Sequence, residues 1–225
     1  MRSQINMNNG IQRVRILIVD DHFVVRQGLK GVLAEHYPLA EFGDASNAQE
    51  GLDLTWKQTW DLVLVDVSMP GRGGLDLLKD LRQNFPKLPV IVLSMHPEEQ
   101  FAIRVLKLGA SSYIRKDCAG HDLIKGVEAA LRGAKYITPS IAQQLASNLG
   151  RNEEGPSHTA LSDREYQVLC LLASGKTVKE VGNELSLSVK TISTYRSRVL
   201  EKMDLKNNSQ LMRYAVQKGL IENEG

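Results

Sequence analysis

Short apolar runs that each end on a polar group alternate with amphipathic stretches through the first part of the chain. Val14 to Val19 is one such run and ends on Asp20-Asp21. His22 to His36 follows, with Val25, Leu29, Val32 and Leu33 at helical spacing. Leu39 to Ala45 is a weaker strand, and Ser46-Asn47-Ala48-Gln49 reads as a capping box opening a helix to about Trp56. Leu62 to Val65 is too short and too β-branched for a helix, so it predicts a buried parallel strand with Asp66 at its end. Met69-Pro70-Gly71 then turns the chain, because Pro fixes φ and Gly allows positive φ. A helix over 74–84, a strand from Pro89 to Leu93 ending on Ser94, and a helix opened by Pro97 and closing near Lys107 come next. A strand from Ala110 to Ile114, with Lys116 just beyond it, and a helix from about Gly120 to Arg132 complete the alternation. Strands and helices in strict alternation predict an α/β fold, a doubly wound five-stranded parallel sheet with helices on both faces.

The pattern changes after that. Thr138 to Leu149 reads as a connector helix, and Gly150 to Ala160 is polar, carries glycine and proline, and has no periodicity. It reads as an interdomain linker. Strand signals then vanish. Ser162-Asp163-Arg164-Glu165 is a capping box ahead of Tyr166, Val168, Leu169, Leu171 and Leu172. Thr177-Val178-Lys179-Glu180 is a second, opening Val178 to Leu185. Ser186-Leu187-Ser188 is a tight turn, Val189 to Met203 a longer helix and Ser209 to Lys218 a last one. These four helices predict a small all-α unit containing a helix-turn-helix. Val189, Ile192, Tyr195, Val199 and Met203 share one stripe of the longer helix, expected to face inward. Lys190, Ser193, Thr194, Ser197 and Arg198 share the opposite face.

Composition narrows the function classes. A chain of 225 residues, 42% hydrophobic, has room for two ordinary domains. No apolar run reaches the ~20 residues that span a bilayer, so no membrane association is expected. The polar, Asn-rich start (Met1 to Gly10) lacks the apolar core of a secretory signal and reads as a flexible tail. Cys118 and Cys170 are far apart and the five histidines are scattered, which argues against a zinc site and for a reducing, cytoplasmic setting. A net charge of +2 does not by itself mark a nucleic-acid binder.

The chemistry lies at the strand ends. Asp20, Asp21, Asp66, Ser94 and Lys116 each follow an apolar run, so the fold would gather them on one edge of the sheet, where α/β folds bind ligands. Carboxylates ~4 Å apart repel by ~4 kcal/mol per pair at an effective dielectric near 20. A divalent cation removes that cost, and an oxygen donor set favours Mg2+. A carboxylate so placed can attack a phosphoryl group, with Lys116 and Ser94 on the phosphoryl oxygens. On the helical unit, small polar side chains flanked by cations suit the major groove.

The acidic pair Asp20-Asp21, the segment Asp66-x-x-Met69-Pro70-Gly71, Ser94 and Lys116 together resemble the receiver domain of two-component response regulators. Leu161-Ser162-x-Arg164-Glu165, Gly175-Lys176-x-x-Lys179-Glu180 and Leu187-Ser188-x-Lys190-Thr191-Ile192-Ser193 resemble the LuxR-type helix-turn-helix. In combination the chain resembles a NarL/FixJ-type response regulator. The resemblance implies a flavodoxin-like receiver over 13–134, a connector helix and linker over 135–158, a DNA-binding domain over 159–225, and a tail over 1–12. It implies that Asp66 is the phosphoacceptor, that Asp20, Asp21, Asp66 and the Ser68 carbonyl hold Mg2+, and that Ser94 and Lys116 bind phosphoryl oxygens. Tyr113 matches the aromatic switch position. Lys179, Lys190, Ser193, Thr194, Ser197 and Arg198 would face DNA. The partners implied are a sensor histidine kinase, double-stranded promoter DNA and a second copy of the chain on activation.

The sequence departs from the family pattern at Val178, Tyr195, Arg196 and Asn207-Asn208, the last removing a usual basic residue. Two other readings stand beside the transcription factor. One is a phosphatase with an aspartate nucleophile, which would want a carboxylate where Ser68 stands. The other is a DNA-binding regulator whose first domain answers a protein partner rather than phosphorylation.

Overall fold

The computed structural model describes residues 13–95, 98–148 and 158–221. The predicted tail, Pro97 and most of the predicted linker lie outside the described residues. Five strands, β1 (Arg15–Val19), β2 (Glu41–Ala45), β3 (Leu62–Asp66), β4 (Val90–Ser94) and β5 (Ser112–Arg115), pair in parallel in the order β2-β1-β3-β4-β5. Between and after them run α1 (Phe23–His36), α2 (Ala48–Lys57), α3 (Gly74–Asn84), α4 (Glu98–Lys107) and α5 (Ala119–Leu131).

The period of two along each strand divides the core. Leu17, Val19, Val63 and Val65 pack with Leu75 and Leu78 of α3 and Phe101 and Val105 of α4. Ile16, Ile18, Leu62 and Leu64 pack with Leu29 and Leu33 of α1 and Leu123 and Val127 of α5. Side chains alternate across a pleated strand, so one apolar run feeds both layers. The strand order reverses between β1 and β3, and the crevice beyond their carboxyl ends is the topological switch point.

Two local expectations shift. Asn47, not Ser46, caps α2: its side chain accepts from the Glu50 N–H at 2.9 Å, while Glu50 takes the Ser46 N–H at 2.7 Å. The cap sits one residue later than expected, and the reciprocal bond goes to the N–H before the cap rather than to the cap's own, so the box is only half formed. β5 starts at Ser112 because the Ala110 N–H is used to close the end of α4, donating to the Val105 carbonyl at 3.2 Å.

The connector α6 (Pro139–Asn148) seats Ile141 in the core on the α4 side. Beyond it come α7 (Asp163–Ala173), α8 (Val178–Glu184), α9 (Val189–Lys202) and α10 (Asn208–Gln217). Both expected capping boxes are present, Ser162 with Glu165 and Thr177 with Glu180. Ser186 turns the chain between α8 and α9 at φ +51°. Ile192, Val199 and Met203 are buried, as the α9 stripe requires, and Tyr195 is half-buried. Val189 is the correction, at 52% exposure. A helical side chain covers the turn N-terminal to its own Cα, and at the first residue of α9 that turn is missing.

The start of α3 presses directly on β3. The Gly74 N–H donates to the Val67 carbonyl at 3.2 Å, and a Cβ at Gly74 would lie 1.8 Å from the Asp66 carbonyl oxygen. Backbone cannot yield there as a side chain can. Gly74→Ala should therefore cost roughly 1–3 kcal/mol of stability, the range for overpacking. Urea unfolding with an unchanged m-value checks this.

Candidate functional site

Asp20 follows β1, Asp66 ends β3 and Lys116 follows β5, so three parallel strands deliver them to one place. Asp20 and Asp66 are both buried, at 0% and 1% exposure. The Lys116 Nζ lies 2.6 Å from Asp20 Oδ2 and 3.1 Å from Asp66 Oδ2. Asp21 and His22 stand at the rim. The His22 N–H donates to Asp20 Oδ1 at 2.8 Å, and its ring Nδ1 lies 2.9 Å from Asp21 Oδ1. One donor atom from each of Asp20, Asp21, His22 and Asp66 falls within a mutual 4.8 Å. Sequence reasoning brought in all of these but His22.

One lysine does not neutralise three carboxylates. Burial holds the Asp66 carboxyl above its ordinary range and Asp20 pushes the same way, while Lys116 and the Ser68 backbone N–H pull it down. Asp66 Oδ1 is buried and accepts no hydrogen bond. A buried, unsatisfied anionic oxygen among further carboxylate oxygens fits a hard divalent cation. Asp20, Asp21 and Asp66 could hold one.

Ser94 and Tyr113 are fully buried on β4 and β5. Ser94 pairs with Arg115 in the ladder, beside the Leu93 that pairs with Asp66. Tyr113 pairs with Val92 and packs on the α3–α4 face of the sheet, in the cluster that holds Phe101. Ser68 sits in the turn after β3.

The helical unit presents a separate surface. Lys179 on α8 and Lys190, Ser193, Thr194, Ser197 and Arg198 on α9 are all exposed. The Thr194 and Ser197 hydroxyls donate to the carbonyls of Lys190 and Ser193, each at 3.0 Å. Their outward lone pairs remain available to accept. Arg196 turns away, its Nε donating to Asn208 Oδ1 at 2.7 Å, so the departure at Asn208 gives that arginine an acceptor.

A third feature escaped sequence reasoning. The first turn of α7 is docked on α3, α4 and the turn after β3. Asp163 Oδ1 accepts from Arg104 Nε at 2.6 Å, and Lys79 pairs with its other oxygen. Arg104 Nη2 donates to the Leu161 carbonyl at 2.6 Å and its guanidinium lies 4.9 Å from the Tyr166 ring centroid. Tyr166 meets Phe101 edge-on at 5.5 Å. Arg164 Nη2 donates to the carbonyls of Met69, at 3.1 Å, and Gly71, at 2.6 Å. In the sequence Asp163 was visible only as a member of a capping box, and Arg164 as a member of that box and of the LuxR-type motif.

Comparison with known proteins covers both units. The model of the response regulator receiver domain matches residues 16–128, and that of the bacterial regulatory proteins of the luxR family matches 159–215. The chain is 33% identical over 210 residues to the response regulator GacA of Pseudomonas aeruginosa, covering 93% of this chain and 98% of that protein. It is 31% identical over 212 residues to the response regulator UvrY of Escherichia coli, covering 94% and 97%. Among solved structures, RcsB of Salmonella enterica serovar Typhimurium, bound to promoter rprA with a beryllium fluoride phosphomimetic, is similar with TM-score 0.61 and 28% identity. The match covers 90% of this chain and 98% of that one.

The raised Asp66 carboxyl sets a pH dependence. Such a group opposes folding once ionised; the penalty is absent below its unfolded value and grows as pH rises to the folded one. Without divalent metal, Asp66→Asn should be more stable than the parent at neutral pH. The advantage should shrink as pH falls toward the ordinary 3.8. Mg2+ should stabilise the parent more than the variant. Urea titrations across pH, with and without Mg2+, check both.

Proposed function

Because the chain belongs to the NarL/FixJ-type response regulators, DNA-binding transcription regulators that join a receiver to a LuxR-type helix-turn-helix, we propose that Asp66 is its phosphoacceptor and α9 its recognition helix. Family membership also disposes of the phosphatase reading: the protein is a regulator, not an enzyme. The observation that carries the Asp66 assignment is the buried group of Asp20, Asp66 and Lys116, in which one carboxylate oxygen has no partner.

The phosphoryl group comes from a phosphohistidine of a sensor kinase. An Asp66 oxygen attacks phosphorus, the P–N bond breaks, and the histidine nitrogen takes up a proton. Lys116 offers an N–H donor to the oxygens of the incoming group, and the Ser94 hydroxyl a second. Asp20, Asp21, Asp66 and the Ser68 carbonyl would hold Mg2+, which when bound would supply charge neutralisation at the same oxygens. The acyl phosphate carries ~1.5–2 negative charges where the carboxylate carried one, which biases a pre-existing equilibrium through β4, β5 and Tyr113. The receiver is read as 13–134, the connector as 135–158 and the DNA-binding domain as 159–225.

On DNA, Ser193, Thr194 and Ser197 approach base edges while Lys179, Lys190 and Arg198 contact phosphates. The DNA-bound RcsB structures, one of them two dimers bound to two parallel DNAs, support duplex DNA and a second copy as partners. No helix of the described residues is long and apolar enough to cross a membrane. Together with a transcriptional role, this supports a cytoplasmic location.

The test is a gel shift on promoter DNA with and without acetyl phosphate, alongside the mass of the intact protein. The parent should gain one phosphoryl group and bind more tightly; Asp66→Ala should do neither. An Asp66→Ala protein that takes up phosphoryl and responds like the parent sinks the assignment. Separately, Arg198→Ala should weaken binding across sequences and lower the salt slope by about 1. Fluorescence anisotropy at several salt concentrations reads that slope.

A further inference from the structure

We propose that His22 is a fourth ligand of the acidic pocket, and that its ring nitrogen makes the pocket prefer a six-coordinate first-row transition ion, of the Co2+ or Ni2+ kind, over Mg2+. This rests on the pocket holding a divalent cation, as proposed above, and adds a residue that the strand-end pattern did not supply.

His22 is the N-cap residue of α1, yet it does no capping. Its backbone is extended, at φ −89° and ψ 108°, and its side chain makes no capping hydrogen bond. Serine, threonine, aspartate and asparagine are the residues that serve a helix there. In this chain the position is turned to the pocket instead. The His22 N–H donates to Asp20 Oδ1 at 2.8 Å, which fixes the backbone against the buried carboxylate. The ring lies back over the rim, with Nδ1 2.9 Å from Asp21 Oδ1 and 3.4 Å from Asp20 Oδ1. The side chain is 67% exposed, so the ring can rotate without disturbing the core.

Lys116 lies against the Oδ2 atoms of Asp20 and Asp66. Asp66 Oδ1 is left without a donor, in a residue only 1% exposed. That oxygen is an independent sign that a cation belongs among these groups. Donor atoms of Asp20, Asp21, His22 and Asp66 lie within 4.8 Å of one another. Bonds of ~2.1 Å put opposite ligands of a six-coordinate ion ~4.2 Å apart, but hold every pair of ligands on a tetrahedral ion to ~3.4 Å. The first arrangement asks for small side-chain adjustments. The second asks the whole rim to contract. Six-coordination also leaves positions on the ion beyond these four ligands.

Three carboxylates alone would suit Mg2+, which takes oxygen ligands and gives up its waters reluctantly. An imidazole nitrogen offers Mg2+ little. It offers much to Co2+ and Ni2+, which stand above Mn2+ and Fe2+ in the affinity order of sites with nitrogen and oxygen donors. His22 therefore changes which ion is held, rather than strengthening the hold on all. On binding, Nδ1 exchanges Asp21 for the ion, and Asp21 Oδ1 is released to ligate as well.

Calorimetric titration of the metal-free full chain with CoCl2, NiCl2 and MgCl2, at one fixed pH, tests this. Three variants accompany the parent. His22→Gln keeps a hydrogen-bonding group beside Asp21 but no imidazole, His22→Ala keeps neither, and Asp66→Asn removes a carboxylate from the pocket. The parent should bind Co2+ and Ni2+ more tightly than Mg2+. Both His22 variants should lose at least roughly tenfold in Co2+ and Ni2+ affinity, the lower end of what even outer-shell partners contribute. Their Mg2+ affinity should change by less than about twofold, since that ion gains little from nitrogen. Asp66→Asn should weaken all three ions. Pulsed EPR of the Mn2+-loaded parent should show coupling to a coordinated nitrogen, absent in His22→Gln. Unchanged Co2+ affinity in the His22 variants overturns the inference, and so do equal losses for Co2+ and Mg2+. Co2+ binding that survives Asp66→Asn undiminished also overturns it, because the ion then sits elsewhere. A parent that binds none of the three ions brings down the cation reading of the pocket itself.

Discussion

Lys116 reaches two buried carboxylates from the end of a strand adjacent to neither of theirs. Asp20 and Asp66 have left water almost completely, and the cation beside both is that ammonium, 2.6 and 3.1 Å away. Burying like charges together costs several kcal/mol unless they are paired, and one lysine against two aspartates and a third at the rim leaves the account short. The deficit appears as a raised Asp66 carboxyl and an oxygen with no donor. A divalent cation at the site would relieve that deficit. The sheet supplies the rigidity that keeps the carboxylates from separating: β1 and β3 are hydrogen-bonded neighbours, buried on both faces.

The helical domain follows a different logic. Each of its helices is started by a local side-chain cap: Ser162, Thr177, Ser188 and Asn207 all accept from a backbone N–H three residues on. Stability of the unit is thus distributed over short-range contacts and a modest apolar core. That leaves its outer faces free to carry function. One face of α9 is polar, uncrowded and exposed. The opposite end of the domain, at the start of α7, is spent on the receiver. The same turn that caps α7 also places Asp163 and Arg164 against it, so the cap and the docking surface share residues.

Much of this was legible in the residues. Alternation of apolar runs with amphipathic stretches specified five strands and five helices, because burial on two faces of a sheet and on one face of a helix leave different periods. The strand-end position of Asp20, Asp66 and Lys116 followed, since a parallel sheet puts every strand's carboxyl end on one edge. Boundaries were less secure. Ser46 and Asn47 are both good caps, and the choice between them depends on which residue the chain leaves extended. Val189 looked like part of an apolar stripe, but a helix's first residue has no preceding turn to lie on.

The docking of α7 had no local signal at all. Arg164 and Gly71 are separated by 93 positions, and Arg104 and Asp163 by 59. Any lysine or arginine on α3 or α4 could have met any acid on the helical domain. The chain's own pattern determined the two folds, the acidic pocket and the polar face of α9, because each rests on periodicity or on strand-end placement. Only the packed structure decided which faces of the two domains meet, because that choice depends on shape and charge matched across surfaces the sequence keeps far apart.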